Sequence, residues 1–379
     1  MSNSTSDLLT AQLRRPPTIR PATVEDYDQI AALQIRNDFS AESHQGWTAL
    51  WRGNPAYRRD GQWPIGWVLQ TEGGDLVGWI GNVPSAYQFR GRTLRAATPH
   101  SWIVDPSHRG YGTQILKCLM RQAEVDLFIC TNVSSRSELF TKHLRLSRVP
   151  VGAWDKSVFW ITNYRGFMEI ALRMKSVPLA SSASYLISAA LFCRDRCSEG
   201  AMRLRTACEV APCYWFDRSF DDFWQELQHQ NQNVVLAVRT PETLAWHFGS
   251  ALSQQRAWIL AAYQGSRLTA YAVFDRQDNP AIGLQRIRLV DFQALQGSEG
   301  ALASALSWML NKCREQGTHV LEVNGCWLDR PGLPRIRPPY QRTMPSWSYY
   351  YRAVDPELSE SLKDPRVWAP SSFDGDASL

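Results

Sequence analysis

The sequence lacks the features of several specialised protein classes. Its 379 residues include only eight cysteines, which is sparse compared with the disulfide framework of a short secreted domain. Neither Cys193 and Cys197 nor Cys208 and Cys213 is followed by a further Cys or His pair at a zinc-ligand distance. We therefore expect structural thiols and no metal site.

Long hydrophobic runs are also missing. Residues 1–18 contain no apolar segment of an export signal. The longest uncharged stretch, residues 176–193, holds Pro178 and five serines, which makes it a poor membrane span. We expect a cytoplasmic protein with no membrane span.

The charge is close to balanced, with 41 Lys and Arg against 36 Asp and Glu, a net of +5. This surplus is too mild and too dispersed to favour a nucleic-acid partner. Hydrophobic residues make up 44% and charged residues 20%, as in ordinary globular chains. The length predicts two domains.

Element patterns divide the chain into five parts. We expect a flexible N-terminus (1–17), a first domain (18–165), a helical connector (166–210), a second domain (211–352) and a polar C-terminal tail (353–379) in which residues 375–377 are loose. In both domains the predicted order is strand, helix, antiparallel strands, helix, strand. The fold class is therefore α/β of the α+β kind: two mixed, mostly antiparallel twisted sheets flanked by helices.

Three shorter segments have distinct patterns. Residues 41–63 are aromatic and basic with no clear period, and residues 151–162 form the closing strand of the first domain. In the connector, four arginines form either a solvated face or a contact for membrane or phosphate: Arg194, Arg196, Arg203 and Arg205.

One segment has the residues of an anion-binding site. A strand ends at Val104, Pro106 stops its pairing, and Arg109, Gly110, Tyr111 and Gly112 lead into a helix. Glycines let backbone N–H groups approach an anion, and a helix N-terminus adds donors and partial positive charge. These features predict a phosphate cradle from Arg109 to Thr113, with Arg109 as a cationic contact.

Two known phosphate motifs are excluded. No Gly-Lys-Ser/Thr follows, so the segment is not a P-loop, and antiparallel hairpins precede it, so it is not a dinucleotide fingerprint. A plain tight turn made by Gly110 and Gly112 remains the alternative.

The segment resembles the acyl-CoA signature of the GNAT N-acetyltransferase superfamily, Arg/Gln-x-x-Gly-x-Gly/Ala. Arg109 and Gly112 match its first two fixed positions, and Gln114 stands where Gly or Ala is usual. The resemblance implies two GNAT-like acyl-CoA N-acyltransferase domains, of which the second is degenerate because it lacks the motif.

The resemblance also implies an acyltransferase activity and its site. An acyl-CoA, with acetyl-CoA as donor, would lie between the fourth and fifth strands. Ile103 and Val104 would contact its pantetheine arm, and Asn132 would also contact CoA. An amine, on a small molecule or a protein, would attack the thioester directly.

The proton route departs from the usual pattern. Phe140 takes the position where many members have a proton-donating Tyr, and phenylalanine has no hydroxyl. His100 is the base candidate, because an imidazole titrates near neutrality; a purely structural His100 is the alternative. His108 and His143 are expected at the surface.

Two other functions stay open. The protein could be an inactive GNAT-fold sensor or scaffold for acyl-CoA, which Gln114 and Phe140 favour. It could also be an aminoacyl transferase, because residues 239–248 and 368–376 resemble tandem acyltransferase-like proteins that are likened to Fem-type enzymes. In such tandems Trp246 and His247 could shape the acceptor groove, with core packing as the alternative for Trp246.

Overall fold

The computed structural model describes residues 15–60, 63–133, 138–177, 180–197, 208–327, 338–344 and 347–379. The helices are α1 Tyr27–Arg36, α2 His44–Arg52, α3 Pro55–Asp60, α4 Gly112–Met120, α5 Glu138–His143, α6 Tyr164–Met174, α7 Ala180–Cys197, α8 Arg218–Gln230, α9 Pro241–Ser253, α10 Ala301–Glu315 and α11 Pro356–Ser361. The strands are β1 Thr18–Pro21, β2 Gly66–Gln70, β3 Leu76–Phe89, β4 Arg92–Val104, β5 Leu127–Cys130, β6 Ser147–Arg148, β7 Lys156–Ile161, β8 Ala211–Cys213, β9 Leu236–Ala237, β10 Ala257–Gln264, β11 Arg267–Arg276, β12 Arg286–Ala294, β13 Val320–Asn324, β14 Tyr340–Thr343 and β15 Tyr350–Ala353.

The strands form two mixed sheets flanked by helices, which confirms the predicted fold class. The first sheet has the order β1-β2-β3-β4-β5-β15-β6, with β9 paired to the far end of β3. The second has the order β14-β7-β13-β12-β11-β10-β8. Each sheet contains one parallel pair, β4 with β5 and β12 with β13, and a helix connects the two strands of each pair.

The two halves exchange strands, which corrects one expectation. β7, predicted to close the first sheet, lies in the second sheet between β13 and β14. In return β15 lies in the first sheet between β5 and β6. The apolar run at residues 158–161 predicts a strand at β7, but the residues of a strand do not determine which distant strand it pairs with.

The exchange joins both sheets to one hydrophobic core. Tyr87 and Leu127 of the first sheet share a buried cluster with Trp160 of β7 and with Phe274 and Leu289 of the second sheet. Because burial of apolar surface is the main stabilising contribution, this shared core holds the two halves together.

The segment without a clear period forms α2 and α3. Ser43 caps α2 by accepting a hydrogen bond from the Gly46 amide at 3.1 Å. Trp47, Leu50 and Trp51 then lie on its buried face. The N-cap serine and the i, i+3, i+4 spacing were the available signal for this helix.

The C-terminal segment, residues 368–379, is not loose. Ser371 is fully buried and Asp374 is 4% exposed. Trp368 forms a parallel bridge with Val235, which ties the segment to the second half of the chain. Asp355, near the start of the predicted polar tail, caps α11.

Some expectations fall on residues outside the described ranges. They concern most of the N-terminus (1–14), the start of the helix after β5 (134–137), and Arg203 and Arg205 of the connector. The described part of the connector is helical, in α6 and α7. Among the helices within the described ranges, none is both long and apolar enough to cross a bilayer.

Candidate functional site

The parallel strands β4 and β5 separate after two residue pairs. Ala96 pairs with Leu127 and Ala97 with Phe128, and the described residues of the two strands pair no further. Further along β4, Ser101 has a φ of +52° and the register against β3 shifts. Such a bulge bends its strand. We call the space between the bent end of β4 and the end of β5 the β4–β5 gap.

Ile103 and Val104 lie on β4 beyond this bulge. Ile103 is buried and pairs with Trp79 of β3, whereas Val104 is half-buried. They are therefore on the strand that borders the gap, where the sequence resemblance places the pantetheine contacts.

Asp105 anchors the loop that follows. Its carboxylate accepts hydrogen bonds from Arg36 Nη2 at 2.7 Å and Asn37 Nδ2 at 2.8 Å. Burial opposes ionisation, but these two donors outweigh it and lower the pKa of Asp105. The start of the loop is thus fixed to α1.

The glycine-containing loop is wound into a 3-10 helix, Pro106–Tyr111, which runs directly into α4. Within it the Gly112 amide donates to the Arg109 carbonyl, and the His108 amide donates to the Asp105 carbonyl at 2.8 Å. Arg109 and Gly110 are exposed, Tyr111 and Thr113 are half-buried, and Gly112 is buried. The Gly112 amide is therefore already bonded in this conformation, contrary to the expected open row of donors.

Trp102 partly fills the β4–β5 gap. Its ring meets Phe140 edge-to-face, with centroids 5.4 Å apart. A Cβ placed on Gly112 would lie 3.5 Å from the same indole. Phe140, at the usual tyrosine position, thus contributes an aromatic wall and no proton donor.

His100 lies between two carboxylates. Its Nδ1 is 3.7 Å from Asp376 Oδ2, and its Nε2 is 3.9 Å from Glu42 Oε1. Both distances describe ion pairs rather than hydrogen bonds. Burial disfavours the charged imidazole, but Asp376 and Glu42 outweigh it, so the pKa of His100 is raised.

Asp376 reaches the end of β5 as well. Its Oδ1 accepts a hydrogen bond from Thr131 Oγ1 at 2.7 Å and lies 3.5 Å from Asn132 Nδ2. Burial and the Asp376 charge raise the pKa of the neighbouring Cys130 thiol to about 12, which disfavours the reactive thiolate. Two predicted site residues, His100 and Asn132, thus meet at Asp376.

A buried ion pair of the second half holds the C-terminal segment in place. Arg239 Nε donates to Asp291 Oδ2 at 2.8 Å, and Arg239 Nη2 donates to Ser371 Oγ at 3.0 Å. Tyr271 also donates to Asp291, at 3.0 Å. The guanidinium lies over the Phe373 ring, 4.8 Å from its centroid.

A small cavity of about 40 Å³ lies between the halves next to this segment. It is bordered by Tyr87 of β3, by Trp246 and His247 of α9, and by Phe373 and Gly375. Burial, aided by Arg239 and opposed by Asp291, lowers the pKa of His247 to about 3. Neutral His247 is therefore part of the wall.

Sequence reasoning missed several residues of this site. Glu42, Trp102, Thr131 and Asp376 form its charged and aromatic lining, but they come from separate parts of the chain and share no motif. Asp105 was identifiable from the sequence as a helix N-cap, because it directly precedes Pro106, the first residue of the 3-10 helix.

A parallel pair whose strands splay apart, next to a glycine-containing helix start, is the arrangement that the motif resemblance implies for acyl-CoA transferases. No protein-family model and no curated protein matches the sequence. Solved structures do match it.

Three of these neighbours illustrate the likeness. A GCN5-related N-acetyltransferase from Kribbella flavida has 10% identity and a TM-score of 0.55, over 91% of this chain and 72% of its own. A probable N-acyltransferase from Enterococcus faecalis has 11% identity and a TM-score of 0.54, over 90% and 73%. N-myristoyltransferase from Saccharomyces cerevisiae, solved with myristoyl-CoA, has 13% identity and a TM-score of 0.51, over 90% and 80%.

The chain therefore has the GNAT-type acyltransferase fold over about nine-tenths of its length. At these identities the likeness concerns the fold. At the level of the fold, this likeness confirms the resemblance inferred from the segment around Arg109.

Proposed function

We propose that the protein is an acyl-CoA-dependent N-acyltransferase that moves an acetyl group from acetyl-CoA to a primary amine. The observation that carries the proposal is the short pairing of β4 with β5, beyond which the edge of β4 borders the β4–β5 gap and bends at the Ser101 bulge. Unpaired strand edge suits an extended pantetheine arm, whose amides can pair with the backbone near Ile103 and Val104.

The diphosphate of CoA would bind at residues 109–113. Because the Gly112 amide is bonded within the 3-10 helix, binding requires this turn to open and redirect amides toward the ligand. Such a change is accessible, since 3-10 turns have poorer hydrogen-bond geometry than α-helices and often mark hinges. Arg109, which is exposed, would add a charge-assisted contact.

The chemistry is a direct displacement. The amine nitrogen attacks the thioester carbon, the C–S bond breaks, and the nitrogen gives up one proton. His100 would accept that proton, with Asp376 and Glu42 stabilising the imidazolium. Phe140 supplies no acid, so water would protonate the departing thiolate.

A non-catalytic acyl-CoA-binding protein is the second candidate. Gln114 and Phe140 favour it, because both depart from positions that the enzymes use. The same cleft would then hold acyl-CoA without turnover.

Two measurements separate the candidates. Thiol release from acetyl-CoA with a panel of primary amines tests catalysis. Thermal unfolding with CoA tests binding, because a ligand at about 100 times its Kd adds about 2.7 kcal/mol of stability. Binding without thiol release under any amine supports the second candidate, and no thermal shift overturns both.

A matched glycine pair locates the CoA site. Gly110 and Gly152 are both exposed, and a Cβ at either position meets nothing within 4 Å, so a larger side chain can extend into solvent. We expect Gly110→Trp to weaken CoA binding at least tenfold and Gly152→Trp to leave it unchanged. Equal CoA affinity in both variants would remove the diphosphate from this loop.

A further inference from the structure

A second cavity, of about 200 Å³, lies against the second sheet. It shares no lining residue with the central cavity or with the β4–β5 gap as described above. Most of its wall is apolar: Phe167 and Ile170 of α6 face Phe159 of β7, with Leu284 and Val320 completing the cluster. A wall of this kind favours an aliphatic ligand.

One side of the same cavity is cationic. Arg286, Glu322 and Arg342 border it, and Arg288 adjoins them. The single Glu322 carboxylate accepts from Arg288 Nη2 at 2.9 Å and from Arg342 Nε at 3.1 Å, and it lies 3.1 Å from Arg286 Nη1. Three guanidinium groups thus share one carboxylate, which leaves two positive charges in excess.

Among the described residues, the nearby carboxylates cancel little of this excess, because each interacts first with another cation. Asp278 pairs with Arg276, Glu169 pairs with Arg173, and Asp275 interacts mainly with Arg256 and less with Arg288. The side chain of Arg286 is only 14% exposed. Burial and the charges of Arg288 and Arg342 outweigh Glu322 and lower the pKa of Arg286 to about 10, as expected for an under-compensated cation.

We propose that this cavity binds a short aliphatic monocarboxylate, with its carboxylate on Arg286 and Arg342 and its chain against Phe159 and Phe167. A guanidinium pairs with a carboxylate through two parallel N–H donors, which suits this planar anion. An apolar cavity of about 150 Å³ holds benzene, so about 200 Å³ suits a chain of roughly six to eight carbons. The site is separate from the proposed acyl transfer and does not depend on it.

Calorimetric titration of the full chain with octanoate tests the proposal. We expect octanoate to bind at least tenfold more tightly than octylamine or acetate, because only octanoate matches both the cation excess and the apolar wall. Octylamine binding as tightly as octanoate, or no heat with octanoate, would overturn the proposal.

Three variants test where the ligand binds. Ala171 lines the cavity, so Ala171→Phe should fill it and lower octanoate affinity at least tenfold. Ala190 is exposed on α7, so Ala190→Phe is the matched control and should bind as the unmodified chain does. Arg286→Gln should lose octanoate binding as well, and a circular dichroism spectrum checks that each variant is folded.

Binding elsewhere gives a different result. If octanoate occupied the β4–β5 gap, Ala171→Phe would leave its affinity unchanged and CoA would compete with it; that outcome rejects this cavity. The proposed function fails separately, through loss of the CoA-dependent thermal shift, and octanoate binding is unaffected by that loss.

Discussion

One oxygen of Asp376 lies 3.7 Å from Nδ1 of His100, while the other accepts a hydrogen bond from Thr131. A single carboxylate from the C-terminal segment therefore joins the two sides of the β4–β5 gap. This places a charged group of the segment beside the only imidazole identified in the gap among the described residues.

The pH dependence of turnover should follow His100. A base must be neutral to accept a proton, and Asp376 and Glu42 raise the pKa of His100, so kcat/KM should rise with pH above 6.5. Asp376→Asn should move this inflection to lower pH, and Glu42→Gln, at the longer distance, should move it less. An NMR titration of the His100 ring checks the same order without turnover. An inflection identical in all three proteins would assign it to another group.

Removing the imidazole should reduce the chemical step. If His100 accepts the amine proton, His100→Ala lowers kcat by about 100-fold or more, the usual contribution of a general base. CoA binding, followed by thermal shift, should remain. A variant with full kcat would leave His100 in a structural role and the proton with water.

The sharp turn at Gly375 should be specific for glycine. Its φ is +59°, and a Cβ there would lie 2.9 Å from Thr131 Cγ2. Gly265 has a φ of +63° with nothing within 4 Å of a Cβ, so it is a matched control for backbone strain alone. We expect Gly265→Ala to lower the free energy of unfolding by about 1 kcal/mol and Gly375→Ala by about 2–3 kcal/mol. If urea unfolding showed equal losses of stability in both variants, Thr131 would move away from the new Cβ without a measurable loss of stability.

Acid should destabilise the fold through His247. The pKa of this imidazole is about 3 when folded and 6.5 for an ordinary histidine, so the unfolded chain binds the extra proton between these values. Stability is therefore fully present above pH 6.5 and falls as the pH drops toward 3. His247→Phe should make this dependence shallower by about 1.4 kcal/mol per pH unit. Urea unfolding between pH 4.5 and 7 measures it, and parallel curves for both proteins would contradict the assignment.

The Arg239–Asp291 pair should be strongly coupled. Arg239→Met leaves Asp291 buried without its cation and should cost about 3–5 kcal/mol, whereas adding Asp291→Leu should recover much of that loss. Because Arg239 also donates to Ser371, both variants should expose the C-terminal segment to limited proteolysis. Additive losses in the double variant would show that the two charges act independently.

The sequence predicts much of the local structure. The glycine turns and alternating residues around Gly74 and Gly91 predict the hairpins of the first sheet, which the structure contains. The segment around Arg109 predicts a helix start after a strand, and α4 begins there. These features depend on backbone preferences and on spacing within a few residues.

The sequence did not predict which strands pair with each other in the sheets. β7 and β15 have ordinary strand patterns, but each pairs in the sheet of the other half, because pairing depends on which edge is open in the folded chain. The same applies to Asp376, whose neighbours Thr131 and His100 are distant in sequence.

The sequence by itself determined the classes of element, the glycine-containing helix start and the motif that resembles an acyl-CoA signature. Each of these is set by short-range steric and hydrogen-bonding rules. Only the tertiary structure decided that the strands are exchanged, that the C-terminal segment is buried on Arg239, and that the Gly112 amide is bonded within its own turn. Those outcomes depend on burial and on contacts between remote residues, which no local pattern specifies.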